Sequence, residues 1–422
     1  MRIFNFVEGA WPRPGGVGIG CVPKIGLNLA AGGVRVVLVC GGPPTPGYES
    51  MVQADVESAA GKSIGRGSFG IVSLRSWGKY AFAPSILWRV GRYVRRADAV
   101  ALHSVYSFPV LAGYLLARLW RKPYVLWPHG VLAPFMRQIG RRKKRIYDTL
   151  IARRMLKGAS AIICTGDGER QEVYSVDSTL QTVVIPHGIA LNSFETLPER
   201  GRFRARYLND HSGPLILYLG RLAAVKNLRL LIGAFAQVLK SMPDARLALV
   251  GPPDPVSFDQ TVAGWLREFG VAGETVLTGP ITDLPSKLEA LADADLFVMP
   301  SHTENFCHAL FEAMAAGVAS IVSDSINYAS EVTRHNAGLA LAREPDVFAK
   351  GILQLLADSA LRREMGNNAR RLAAGYSWET CGDRIGATLR SVVTRQPLPA
   401  ELLRRTPCTA ESTYRSPTTA SI

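Results

Sequence analysis

Pro300-Ser-His-Thr-Glu304-Asn-Phe-Cys-His-Ala-Leu-Phe-Glu312-Ala-Met-Ala-Ala-Gly317 is the stretch from which the rest of the chain can be read. The apolar run 296–299 before it reads as a strand that stops at Pro300. Residues 301–305 are polar and read as a loop. A helix of Ala, Leu and Met follows and ends at Gly317, the residue type that tolerates the turn past a helix end. Strand, loop and helix in this order form the unit of a parallel α/β sheet. Glu304 then sits just ahead of a helix N-terminus, and Glu312 lies about a turn and a half inside the helix. The amides of Asn305 to His308 become free donors at the positive end of the helix dipole, which suits a diphosphate or a sugar hydroxyl.

The same rhythm runs outward in both directions. In the first half, residues 2–7, 35–40, 99–103, 124–127, 161–165 and 182–185 read as strands, with helices over 25–31, 84–95, 109–118, 143–156 and 169–174. In the second half, strands are expected at 215–219, 247–250, 275–277, 296–299 and 320–322, with helices over 228–239, 262–269, 284–291, 306–316 and 348–356. Val, Ile and Leu-rich strands alternating with helices predict parallel sheets covered on both faces. The charged stretch Glu199, Arg200, Arg202, Arg204 and Arg206 marks a boundary. The expected architecture is α/β, two Rossmann-like domains facing a central cleft: residues 1–195, and residues 196–375. Ligands in such sheets lie beyond the carboxyl ends of the strands.

Three further segments fall at those ends. In Tyr218-Leu219-Gly220-Arg221-Leu222-Ala223-Ala224-Val225-Lys226-Asn227, Arg221 and Lys226 follow a strand and could clamp a leaving diphosphate, the guanidinium bidentately and the ammonium as a point charge. Neutralising that group is most of what a glycosyl transfer requires. Pro14-Gly15-Gly16-Val17-Gly18-Ile19-Gly20 follows the first strand and allows backbone to approach a phosphate. Trp127-Pro128-His129-Gly130 ends a later strand and can aim an imidazole into the cleft.

Glu304 and Glu312 with seven residues between them resemble the Glu-x7-Glu motif of the family 4 glycosyltransferases, which have the GT-B fold. Gly220-Arg221-Leu222-x3-Lys226-Asn227 resembles that family's phosphate-binding segment. Pro186-His187-Gly188-Ile189 resembles its step into the inter-domain linker, and Tyr376-Ser377-Trp378-Glu379 the start of its C-terminal helix. Residues 98–104 and 127–132 are similar to first-domain motifs of bacterial members that build surface polysaccharide, exopolysaccharide or lipopolysaccharide. The resemblance spans residues 1–392. It implies that Glu312 binds the donor ribose, and that Glu304 holds sugar hydroxyls beside the Phe306, Cys307 and His308 amides. It further implies that Arg221 and Lys226 bind the diphosphate, Gly16 touches it from the opposite domain, and His129 contacts the donor sugar. Residues 376–395 would form a helix crossing back to the first domain.

The implied reaction is a retaining, metal-independent hexosyl transfer from a UDP- or GDP-sugar to a lipid-linked or other glycan acceptor, with no cofactor. Several positions depart from the family pattern. Cys307 stands where glycine is usual, Ala319 where proline is common, and His187 and Ala190 replace Asn and Asp. The alternative is a catalytically silent sugar-nucleotide-binding or scaffold protein of a glycan assembly complex; the intact Glu304, Glu312, Arg221 and Lys226 weigh against it.

The bulk numbers narrow the partners. Formal net charge is +15 over 422 residues, and residues 1–199 hold 25 Lys+Arg against 12 Asp+Glu. A basic first half suggests an anionic partner. The run Arg141-Arg-Lys-Lys-Arg145, continued by Arg153, Arg154 and Lys157, reads either as a solvated helix face or as an attachment to an anionic membrane surface at about 1 kcal/mol per basic residue, the latter favoured by a lipid-linked acceptor. It lacks the interleaved aromatics and fold signatures of a nucleic-acid binder. The six cysteines show neither Cys-x-x-Cys nor zinc-ligand spacing and read as free thiols of a reducing compartment. A cytoplasmic protein, peripheral on the inner face of the inner membrane, is expected.

Two matches are decoys. Gly65-Arg-Gly67-Ser-Phe-Gly70-Ile-Val72 reproduces the protein-kinase glycine-rich loop, yet no kinase lysine strand or catalytic loop follows. Asp293-Ala-Asp295 mimics a metal-binding Asp-x-Asp but precedes a buried strand and reads as a helix end. Residues 396–422, rich in Pro, Ser and Thr, are expected to be a disordered tail.

Overall fold

The computed structural model describes residues 1–9, 20–42, 67–78 and 80–403. Two parallel sheets form the frame. The first contains β1 (Arg2–Gly9), β2 (Arg35–Gly41), β3 (Ser68–Leu74), β4 (Ala99–His103), β5 (Tyr124–Trp127), β6 (Ala161–Cys164) and β7 (Thr182–Val184), in the order β3-β2-β1-β4-β5-β6-β7. The second contains β8 (Leu215–Leu219), β9 (Arg246–Val250), β10 (Thr275–Gly279), β11 (Leu296–Met299), β12 (Ser320–Ser323) and β13 (Gly338–Leu341), in the order β10-β9-β8-β11-β12-β13. The strand order reverses between β1 and β4 in one sheet and between β8 and β11 in the other. These are the switch points where a crevice opens beyond the carboxyl ends. Strands such as β4, β5, β8 and β11 are buried along nearly their whole length, as continuous Val, Ile and Leu runs require.

β3 and β13 are strands that the sequence reading omits. β3 coincides with the kinase-like glycine segment, but it is an edge strand pairing with β2 in parallel. A Cβ at Gly67 would lie 2.0 Å from the Ala30 carbonyl oxygen, so that glycine serves close packing beneath the strand. The expected helix over 84–95 is two short helices, Ser85–Arg89 and Gly91–Val94. The expected helix over 143–156 passes through a wider π turn at Asp148–Ala152.

The chain leaves the first sheet after β7 and returns to it at the end. Ile189 bridges Ser377 and donates its amide to the Tyr376 carbonyl at 2.8 Å. The helix Trp378–Thr394 then packs against the helix Val22–Ala31. Its N-terminus is capped by Ser377 Oγ, which accepts from the Thr380 amide at 3.0 Å. Trp378, Cys381, Ile385, Leu389 and Val392 join Ile3, Ile25, Leu29 and Val36 in one core. Gly188 allows the crossing: a Cβ there would stand 2.2 Å from the Trp378 amide nitrogen.

The expected disordered tail needs correction at its start. A last helical turn, Ala400–Leu403, packs on the first domain. Leu402 is buried in the same core, and Arg170 Nη1 donates to the Leu403 carbonyl at 3.1 Å. The buried leucine overrides the polar composition around it. Residues 404–422 lie outside the described residues.

Candidate active site

The loops that leave β8 and β11 are tied together, because the His302 amide donates to the Val225 carbonyl at 2.8 Å. That tie brings Lys226 to Glu304, and their ammonium and carboxylate form an ion pair. Ser301 Oγ donates to the same Glu304 oxygen at 2.6 Å. Both charged side chains are only 12% exposed, so each depends on the other for its solvation.

The loops after β8 and β9 are zipped in the same way. Leu222 donates to Pro252, and Asp254 donates back to Leu222, each at 2.8 Å. Arg221 thereby pairs with Asp254, a carboxylate in a Pro-rich loop that sequence reading passes over. Glu312, on the helix His308–Ala315, receives both its hydrogen bonds from Lys287 Nζ, at 2.9 and 3.1 Å. Lys287 is likewise absent from the sequence reading. It sits on the helix Leu284–Asp293, where a lone lysine looks like any solvated residue. The helix His308–Ala315 begins without a side-chain cap, which leaves its first amides to a ligand. Its far end is closed by Arg370, whose guanidinium donates to the Ala315 and Ala316 carbonyls at 3.3 and 3.0 Å.

Phe306 and Cys307 are buried. The Phe306 ring stacks on Phe311 at 4.4 Å and faces the domain core, so only its backbone is available to a ligand. Burial, with Glu304 adding, pushes the Cys307 thiol up to about 12, so it stays protonated at neutral pH. The His308 imidazole turns away toward His187 and Trp378.

From the first domain, His129 and Gly130 follow β5 with φ of +53° and +74°. A left-handed histidine costs of order 1–3 kcal/mol and persists only where its surroundings hold it. The clamp is Glu169, a buried carboxylate outside the sequence reading. Its Oε1 accepts from the Gly130 amide at 2.7 Å, and its Oε2 accepts from the Thr165 amide at 2.7 Å and hydroxyl at 3.1 Å. Thr165 Oγ1 also lies 2.7 Å from Asn305 Oδ1 across the cleft, its one proton being shared between Asn305 and Glu169, and Tyr328 donates to the Thr165 carbonyl, so this loop touches the Glu304 loop's neighbours directly.

His129 is buried, and its Nε2 shares a hydrogen bond with His103 Nδ1 at 3.0 Å. Burial, then His103 and His187, hold its pKa well below the usual range, so the imidazole is neutral. Gly16 lies outside the described residues.

Two parallel α/β domains, each with its switch point turned to a shared cleft lined by paired cations and carboxylates, define a GT-B glycosyltransferase. The family described as "Glycosyl transferases group 1" matches residues 199–372, and "Glycosyl transferase 4-like domain" matches residues 21–188. The chain belongs to this group 1, family 4-like class of glycosyltransferases.

Curated relatives include the D-inositol 3-phosphate glycosyltransferase of Kineococcus radiotolerans, 25% identical over 320 residues, or 71% of this chain and 72% of that protein. The namesake from Jonesia denitrificans is 28% identical over 309 residues, covering 69% and 72%. Among solved structures, Anabaena Alr3699/HepE in complex with UDP and glucose shares the fold with a TM-score of 0.75 at 19% identity, over 93% of this chain and all of that one. WaaG, a glycosyltransferase involved in lipopolysaccharide biosynthesis, does so with a TM-score of 0.66 at 18% identity, with the same coverage.

Proposed function

We propose that this glycosyltransferase moves a hexosyl group, with retention of configuration, from a UDP- or GDP-sugar to a lipid-linked glycan during surface-polysaccharide assembly. The observation that carries the reading is the Lys226–Glu304 ion pair between the loops after β8 and β11, just ahead of the helix that carries Glu312 and starts without a side-chain cap. In this reading Glu312 takes the ribose hydroxyls. Arg221 and Lys226 receive the diphosphate charge that grows as the sugar departs, and Gly16 supports it from the other domain. Glu304, the Phe306, Cys307 and His308 amides and neutral His129 position the sugar. None of these steps calls for a metal. The complexes of HepE with UDP and with UDP-glucose support UDP as the base to try first.

The lipid side of the proposal rests on one segment of the first domain. Residues 67–160 hold 18 Lys+Arg against two Asp+Glu. Of the fourteen exposed large apolar side chains among the described residues, eleven lie in this segment, Trp77, Tyr80, Phe82 and Trp88 among them. The basic helix Arg141–Tyr147 belongs to this segment. Cations with interfacial aromatics suit an anionic leaflet. Among the described residues no helix is long and apolar enough to cross a membrane, so the attachment would be peripheral, on the cytoplasmic face.

The names of the curated relatives support a second reading, in which the acceptor is a soluble inositol phosphate. The test is transfer from labelled UDP- and GDP-hexoses to a polyprenyl-diphosphate glycan on anionic vesicles, with inositol 3-phosphate in parallel and the anomeric configuration read by NMR. Transfer to the vesicle-bound glycan with retention supports the proposal. Transfer to inositol phosphate alone moves the acceptor to the second reading. Donor binding without any transfer favours the silent scaffold.

A further inference from the structure

Cys21, His187 and His308 come from the start of the first-domain helix Val22–Ala31, from the inter-domain linker and from the start of the helix His308–Ala315. Their Sγ and ring nitrogen atoms all lie within 4.8 Å of one another. Cys21 Sγ is 4.0 Å from His308 Nε2, and the His187 and His308 rings stack with centroids 5.5 Å apart. His187 is 4% exposed, and among the described residues neither of its ring nitrogens has a hydrogen-bond partner. A buried imidazole with two unsatisfied nitrogens is costly unless something else takes a lone pair.

We propose that these three residues form a zinc site that fastens the two domains together at the linker, apart from the sugar-transfer chemistry. Two imidazoles and a thiolate suit the borderline-soft Zn²⁺, which takes a tetrahedral set with one position left for water. Bonds of about 2.0–2.3 Å put tetrahedral ligand atoms roughly 3.5 Å apart, so atoms now within 4.8 Å of one another draw together by about 1.3 Å at most. His187 also lines a cavity of about 640 Å³ with Cys381 and Arg384. Binding replaces the Cys21 S–H bond with a Zn–S bond and releases one proton to solvent, so affinity rises with pH.

The experiment uses the full chain without an affinity tag, stripped with EDTA and titrated with Co²⁺ as a spectroscopic stand-in and then with Zn²⁺. One Co²⁺ per chain, a thiolate-to-cobalt band in the near ultraviolet, and a rise in Tm with Zn²⁺ are expected. Cys21→Ser should abolish the band, and His187→Asn should weaken Zn²⁺ binding at least tenfold. UDP-induced stabilisation serves as the check that each variant is folded. If Cys21→Ser does not fold, His187→Asn carries the test. Absence of the band in the wild-type chain overturns the proposal whatever the variants do. So does a band that survives Cys21→Ser, or Zn²⁺ affinity unchanged by His187→Asn. Because the readout is metal binding, its failure leaves the sugar-transfer proposal untouched.

Discussion

Lys226 and Glu304 form an ion pair between the loops after β8 and β11, and each side chain is 12% exposed. Two groups proposed to serve the diphosphate and the sugar thus neutralise each other. In that proposal a bound donor has to share or replace the contact.

Lys226→Ala and Glu304→Ala are each expected to lower kcat by about 10²–10³-fold, the range for loss of one transition-state donor. Each single change also strands a buried charge and should lower Tm, whereas Lys226→Met combined with Glu304→Leu should recover part of that stability and stay inactive. Steady-state rates and thermal unfolding of the three variants check this. Wild-type turnover in either single variant would remove the pair from the mechanism.

Lys287 holds both oxygens of Glu312. Lys287→Ala should raise the donor KM several-fold with little change in kcat, and Glu312→Ala should raise it further. The ordering of the two KM values is the measurement, and a Lys287→Ala enzyme with unchanged KM would show that Glu312 needs no holder.

Glu169 gathers the Gly130 and Thr165 donors under the left-handed His129. Glu169→Gln turns one acceptor oxygen into an N–H facing another N–H. A loss of about 2–3 kcal/mol is expected, together with a lower kcat if His129 loses its aim. Denaturant unfolding and single-turnover rates test the two effects separately.

His103, His129 and His187 are buried, and burial lowers all three pKa values, with neighbouring histidines adding to it; that of His103 falls to about 3. The unfolded chain takes up protons below the ordinary value near 6.5 while the folded chain does not. Stability is therefore intact above that value and falls as pH drops below it. His308, also lowered to about 3, acts in the same direction, while the raised carboxyls of Glu169 and Glu172 act against it. Urea unfolding between pH 7.5 and 5 should show a slope in His103→Asn that differs from that of the wild-type chain by up to about 1.4 kcal/mol per pH unit. Identical slopes in the two would mean that His103 is already protonated in the fold.

The two-domain frame was legible because buried parallel strands are apolar throughout, and β4, β5, β8 and β11 match their expected bounds. β3 was not, because an edge strand that is half exposed and carries Gly70 reads as a glycine loop. Within the candidate site, residues at strand ends were singled out from recognisable segments, but their partners Asp254, Lys287 and Glu169 were not. Each lies far along the chain from the residue it holds, in a segment with no pattern of its own. The convergence of Cys21, His187 and His308 was hidden for the same reason, since ligand spacing along a chain reports only sites built from neighbouring segments.

The helix Trp378–Thr394 and the turn Ala400–Leu403 fill the core behind β1, β4 and β5. On the ribosome the first domain is therefore made first and finished last. Ile3, Ile25 and Leu29 have no complete cover until the chain has been synthesised almost to residue 403. The second domain, whose core uses residues between 189 and 376, can close before that. The order of synthesis and the order in which the two cores are completed run opposite to each other, and a chain truncated near residue 375 carries a complete second-domain core beside a first domain with an open apolar face.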